Sequence, residues 1–152
     1  MREQLTANFY LDEFTLSQTA ARHGIDMEPP ADVVENLRRL CVDVLQPLRD
    51  ELGKSIVITS GYRPPLLNER IGGSATSQHP RGEAADIRAI GATPIEVAVA
   101  ANNLNLPFHQ LIHEFRSWVH ISVAPAGAEP KLQLLTADRV DGKTQYQTGL
   151  HA

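Results

Sequence analysis

The chain holds a single cysteine, Cys41, so no internal disulfide can staple it. Cys41 falls in an apolar helical stripe and reads as a small core residue rather than a reactive thiol. No apolar run approaches the roughly 18 residues a bilayer-crossing helix needs. The first ten residues lack the apolar centre of a secretory signal, so synthesis and retention in the cytoplasm are expected. There is no basic excess either: the net charge is −4, which gives no electrostatic footprint for nucleic acid. No serine or cysteine nucleophile motif is present, so chemistry through a covalent intermediate is not indicated. Internal repeats and low-complexity segments are also missing.

What remains is ordinary globular composition, 42% hydrophobic and 21% charged over 152 residues. That length suits one domain with a core of its own, expected over about 31–123. Residues 1–14 read as an irregular lead-in. Thr15-Leu16-Ser17-Gln18 fits a capping box with Thr15 at the cap, opening a short helix that ends at His23-Gly24. Apolar residues from Val33 to Leu52 recur with helical spacing, and Pro47 should kink or split that helix after about Leu45. Residues 55–59 and 84–89 read as strands. The stretch between them, 61–83, is rich in Gly, Pro and Ser and reads as a long loop, which in a compact domain is usually functional. Thr93-Pro94-Ile95-Glu96 opens a helix to about residue 103. Strand-like runs at 108–114 and 118–123 suggest a hairpin turning at 115–117, and 131–135 suggests an edge strand. Residues 136–152 are polar and expected to be loosely ordered. The fold class expected is α+β, a small antiparallel sheet flanked by helices.

The chemistry concentrates in Ser77-Gln78-His79-Pro80-Arg81-Gly82-Glu83-Ala84-Ala85-Asp86 and in Trp118-Val119-His120. Two imidazoles and a carboxylate form a three-ligand set suited to Zn²⁺ with a fourth position open, as in hydrolytic sites. A three-residue hairpin loop would set Ile112 opposite His120 and Glu114 opposite Trp118. Glu114 then lies diagonal to His120 on the same face, roughly 7–8 Å away, where a general base belongs. His113 faces the other way. A lone histidine on a strand is usually structural, so His23, His109, His113 and His151 are left aside; His79, Asp86 and His120 stand out only as a set.

Ser77-x-His79-x-x-Gly82-x-Ala84-x-Asp86 resembles the zinc signature of the D-Ala-D-Ala metallopeptidases, which cut peptidoglycan stem peptides. Ser60-Gly61-Tyr62-Arg63 resembles that family's upstream segment. Gln110-Leu111-Ile112-x-Glu114 with Trp118-Val119-His120 resembles its closing segment, most like phage- and prophage-encoded members. The resemblance implies that His79, Asp86 and His120 hold zinc. It implies that Glu114 is the base, that Arg63 stabilises the oxyanion or the substrate carboxylate, and that Ser77 and Trp118 shape the cleft. It implies the fold shared with hedgehog-type domains, and a carboxypeptidase or endolysin-type endopeptidase of the cell wall. One departure stands out: six positions separate Glu114 from His120, where many members have about three. Glu83, beside Gly82, is the competing base. The other reading is a zinc-containing but non-catalytic wall-binding or virion structural module. A monomer made without a signal peptide and acting at the wall after release is the working form expected.

Overall fold

The computed structural model describes residues 2–152. Its centre is a mixed six-stranded sheet with a separate two-stranded ribbon and helices, an α+β architecture. The lead-in expected to be irregular forms the ribbon, β1 (Gln4–Thr6) and β2 (Phe9–Tyr10), followed by α1 (Asp12–Thr15). These segments are too short for periodicity to be readable, yet Leu5, Phe9 and Phe14 are all buried. The core therefore extends on the N-terminal side of the expected 31–123. The helix α2 (Gln18–Arg22) is capped by Ser17, whose hydroxyl accepts from the Ala20 amide, not by Thr15. Thr15 is still finishing α1, while Ser17 has the extended backbone a cap requires.

The long apolar stripe runs through α3 (Ala31–Leu40), a π-turn (Cys41–Leu45) and α4 (Gln46–Leu52). The π-turn answers Pro47: the proline ring crowds the carbonyl four residues back, and the widened turn lets the chain continue rather than break. Leu37, Leu40, Cys41, Val44, Leu45 and Leu48 on this stripe are fully buried. They share a core with Ala85, Ile87, Leu111, Val119 and Ile121 of the sheet. The helix α6 (Pro94–Asn103), with Thr93 and Glu96 forming its capping box, joins the same core.

The sheet is ordered β3-β4-β6-β5-β7-β8. Its strands are β3 (Ile56–Ser60), β4 (Ala84–Ala89), β5 (Phe108–Glu114), β6 (Trp118–Val123), β7 (Gln133–Val140) and β8 (Lys143–Thr148). Between β3 and β4, the expected loop contains a further short helix, α5 (Pro65–Arg70), and a 3₁₀ turn at His79–Arg81. Composition reads this stretch as loop, but a proline at the first helical position starts a helix readily, and Pro65 does so here.

The expectation of a purely antiparallel sheet is corrected in one pair. β7 runs parallel to β5, because residues 124–132 cross only one end of the sheet before β7 begins. The expected edge strand is thus interior, and β8 is the edge. The expectation of a loosely ordered stretch at 136–152 is corrected too: β7 and β8 pair antiparallel from Leu135↔Thr148 to Val140↔Lys143. Asp141 and Gly142 both take positive φ between them, the backbone of a two-residue hairpin turn.

Candidate metal centre

Side chains alternate across a strand, so each strand of the sheet offers one face to the helical core and one to the opposite side. On β4, Ala85, Ile87 and Ala89 belong to the core, which sends Asp86 to the other face. Asp86 pairs directly with His120 of β6, and His120 with Ile112 of β5. Glu114 pairs with Trp118. The hairpin register expected from the three-residue loop is the one observed.

His79 arrives from the 3₁₀ turn that closes the 61–83 segment. Gly82 ends that turn at φ +73°, and a Cβ there would meet the Val33 carbonyl oxygen at 2.7 Å, so no other residue fits. The Ser77 hydroxyl accepts from the His79 amide at 3.2 Å. Ser77 thus lines the cleft and also holds the turn that presents His79.

The His79 ring is buried, and its Nδ1–H donates to the Gly61 carbonyl at 2.7 Å. That bond leaves Nε2 as the free lone pair. Nε2 has no hydrogen-bond partner, although it is buried and lies 3.4 Å from Asp86 Oδ1. His120 Nδ1 lies 3.0 Å from the same oxygen, and the two imidazoles meet edge to face at 5.2 Å between centroids. One donor atom from each of the three residues falls within 4.8 Å of the others. Two imidazole nitrogens and a carboxylate oxygen are the donors zinc prefers. A buried imidazole nitrogen with no partner is costly unless something binds it. The backbone acceptor on the far side of the ring is what orients metal-ligating histidines generally. The three residues fit a divalent transition metal.

Electrostatics follow from the burial. Burial pushes the Asp86 carboxyl up, but the hydrogen bond with His120 and the nearby His79 ring outweigh it and hold the group well below the ordinary carboxylate range. Burial pushes His79 down, against the pull of Asp86. A histidine whose value is lower folded than unfolded stabilises the fold fully above about pH 6.5, and that stability drains as pH falls below it through the folded value. The thermal midpoint of metal-free protein should therefore fall as pH is lowered from 8 to 5, and fall less in His79→Gln. An equal fall in both would remove His79 as the cause.

Glu114 is half-buried, and its carboxylate accepts no hydrogen bond among the described residues. Burial raises its carboxyl above the ordinary range, opposed by His120 and Arg63. Arg63 is pushed down by burial against the pull of Asp86 and Glu114, and its buried Nε has no partner. Both line a cleft of about 930 Å³ with the three ligand candidates, Ser77 and Trp118. Trp118 rests 5.5 Å from the Phe115 ring. Glu83, the competing base, is not brought here. It is buried, and Oε1 accepts from Gln78 Nε2 and Arg81 Nε. Its role is to brace the loop behind His79.

A family model for peptidase M15 matches residues 7–122, about three quarters of the chain. The chain belongs to the peptidase M15 family. These are the zinc D-Ala-D-Ala metallopeptidases. No curated protein matches the chain. The matched segment of this M15 peptidase contains the three ligand candidates, Arg63, Ser77, Glu114 and Trp118, and stops before β7.

The motifs in the sequence of the M15 peptidase include Gly61 but give it no role. Its carbonyl fixes the His79 ring, and a Cβ on it would sit 2.7 Å from the Phe14 backbone. The glycine beside Tyr62-Arg63 was the available signal. Gly61→Ala should cost about 1–3 kcal/mol in stability through overpacking. Because the carbonyl must also move, zinc affinity should weaken about 10–100-fold. Denaturant unfolding and competition with a zinc chelator measure the two separately.

Proposed function

We propose that this chain is a zinc-dependent peptidase that hydrolyses peptide bonds of bacterial peptidoglycan, as a D,D-carboxypeptidase or an endolysin-type endopeptidase, on a hedgehog/DD-peptidase-like fold. One observation carries the reading. Three metal-binding donors from separate elements converge on the sheet face that also carries an unpaired, half-buried Glu114.

His79 Nε2, the Asp86 carboxylate and His120 Nδ1 would hold the ion. When bound, zinc polarises a peptide carbonyl and makes water more acidic. Glu114 takes the proton from the attacking water and delivers it to the leaving amine. Burial raises its carboxyl, which makes it a stronger base for the first of these transfers. Arg63, which lines the same cleft, would stabilise the oxygen on which negative charge builds, or the substrate's carboxylate. Trp118 forms a wall against which the peptide lies. Ser77 keeps His79 in place.

The likeness of the 110–120 segment to phage and prophage members supports a wall-lysis role, with the enzyme acting at the wall after release. No described helix is long and apolar enough to cross a membrane.

Mass spectrometry of peptides released from purified peptidoglycan tests the reading. Digestion should yield new peptide ends, stop with a chelator and resume on adding zinc. The mass of the fragments names the bond. Binding to peptidoglycan without release at any zinc concentration would count against catalysis.

A further inference from the structure

The cleft does not end where the family match ends. β7 and β8 continue the site face of the sheet. Ile112 pairs with Leu135, and Glu114 with Ala137. Ala137 in turn pairs with Tyr146, and Arg139 with Thr144. One row across the sheet therefore reads Trp118, Glu114, Ala137, Tyr146. Only the methyl of Ala137 separates the Tyr146 ring from the base, and Tyr146 feels the charge of Glu114. Leu135, Arg139, Thr144 and Tyr146 all line the cleft that holds the ligand candidates. They form a wall beyond residue 122, where the family match stops.

Charge gives this wall a direction. The chain carries a net −4, yet the charged residues lining the cleft are Arg63, Arg81, Lys131 and Arg139 against Asp86 and Glu114. The two acids are committed to the site. Arg81 is neutralised by Glu83, and Arg116, on the neighbouring turn, by Asp138. Among the described residues no carboxylate pairs with Arg139. Its guanidinium instead sits 5.2 Å from the centre of the Phe115 ring. Phe115 itself holds a left-handed backbone, φ 52°, which is uncommon for a bulky residue. An arginine seated on an aromatic face is oriented before any ligand arrives, and its fork matches a carboxylate.

Arg139 lies four residues along and two strands across from the His120 row. By sheet spacing that is on the order of 13 Å by 10 Å between backbones. The carboxylate it meets is thus not the one at the reacting bond.

We propose that Arg139, on its Phe115 seat beside Tyr146, is a specificity-determining residue that binds a non-terminal carboxylate of the peptide substrate, in a subsite supplied by the β7–β8 hairpin. This rests on the peptidase reading above. It adds that the substrate is an acidic peptide read several residues from the scissile bond.

Titration calorimetry on zinc-loaded Glu114→Gln protein tests it without turnover. The probes are a synthetic peptidoglycan stem peptide with free carboxylates and the same peptide with its non-terminal carboxylates amidated. Adding Arg139→Gln should weaken binding of the free-acid peptide about tenfold, the usual effect of losing one hydrogen-bonded ion pair. The amidated peptide should bind both proteins alike. Arg139→Lys should recover part of the loss. Equal weakening for both peptides, or none for either, overturns the subsite. Turnover by the unmutated protein reads the other proposal separately. If it cleaves nothing but binding follows this pattern, the subsite stands and the peptidase reading falls. If it cleaves and binding ignores Arg139, only the subsite falls.

Discussion

Glu114→Gln should lower peptide hydrolysis about 10²–10⁴-fold, the contribution of a well-placed general base, while zinc content stays at the unmutated level. Glutamine keeps the size and polarity of the side chain but cannot accept and return a proton. The carboxylate holds no structural hydrogen bond among the described residues, so its loss should barely touch stability. Burial already raises this carboxyl, and replacing it removes a charge from a low-dielectric cleft rather than breaking an ion pair. The decisive comparison is kcat against bound zinc in the same preparation. Loss of both together would make Glu114 a metal-supporting residue. Loss of neither would pass the role to another group, although Glu83, buried under Gln78 and Arg81, is poorly placed to take it.

Zinc should stabilise the fold strongly, and Asp86→Ala should abolish that effect. A ligand that binds only the folded state adds about 4 kcal/mol when present at a thousand times its dissociation constant. For a chain of this size that is a rise of roughly 10 °C in thermal midpoint. Asp86 is the residue to remove because both histidines converge on its Oδ1, at 3.0 and 3.4 Å. In metal-free protein its carboxylate relieves the proximity of two imidazoles. Its alanine variant should lose the zinc-dependent rise and also show a lower midpoint without metal. Differential scanning calorimetry with and without zinc reads both numbers from one pair of variants. A full zinc shift in Asp86→Ala would mean that the stabilising ion sits elsewhere.

Much of the site face was legible because strand alternation and a three-residue turn leave few choices. Once 115–117 is the turn, Ile112 must meet His120 and Glu114 must meet Trp118. The partnership of Asp86 with His120 is less visible, since nothing local tells β4 to pair with β6 rather than β5. Only the ligand types suggested it. The elements that escaped did so for physical reasons. β1 and β2 are three and two residues long, below any readable period. α5 hides behind Pro64-Pro65 in a stretch full of turn formers. β8 is exposed along its whole length, so it carries no apolar alternation to betray it. Its one signal is Asp141-Gly142, a hairpin dipeptide. That dipeptide, read properly, would have extended the sheet and brought Arg139 and Tyr146 to the cleft. Gly61 shows a different limit. Its importance comes from Phe14 approaching in space, a contact no spacing rule predicts.

The most direct test of the central claim is a crystal of zinc-loaded protein measured on both sides of the zinc absorption edge. The account predicts one anomalous peak per chain, bonded to His79 Nε2, an Asp86 carboxylate oxygen and His120 Nδ1 at about 2.0–2.2 Å, with one coordination position facing Glu114. A peak on other residues, or a full-occupancy soak that leaves these three side chains paired only with one another, would contradict it.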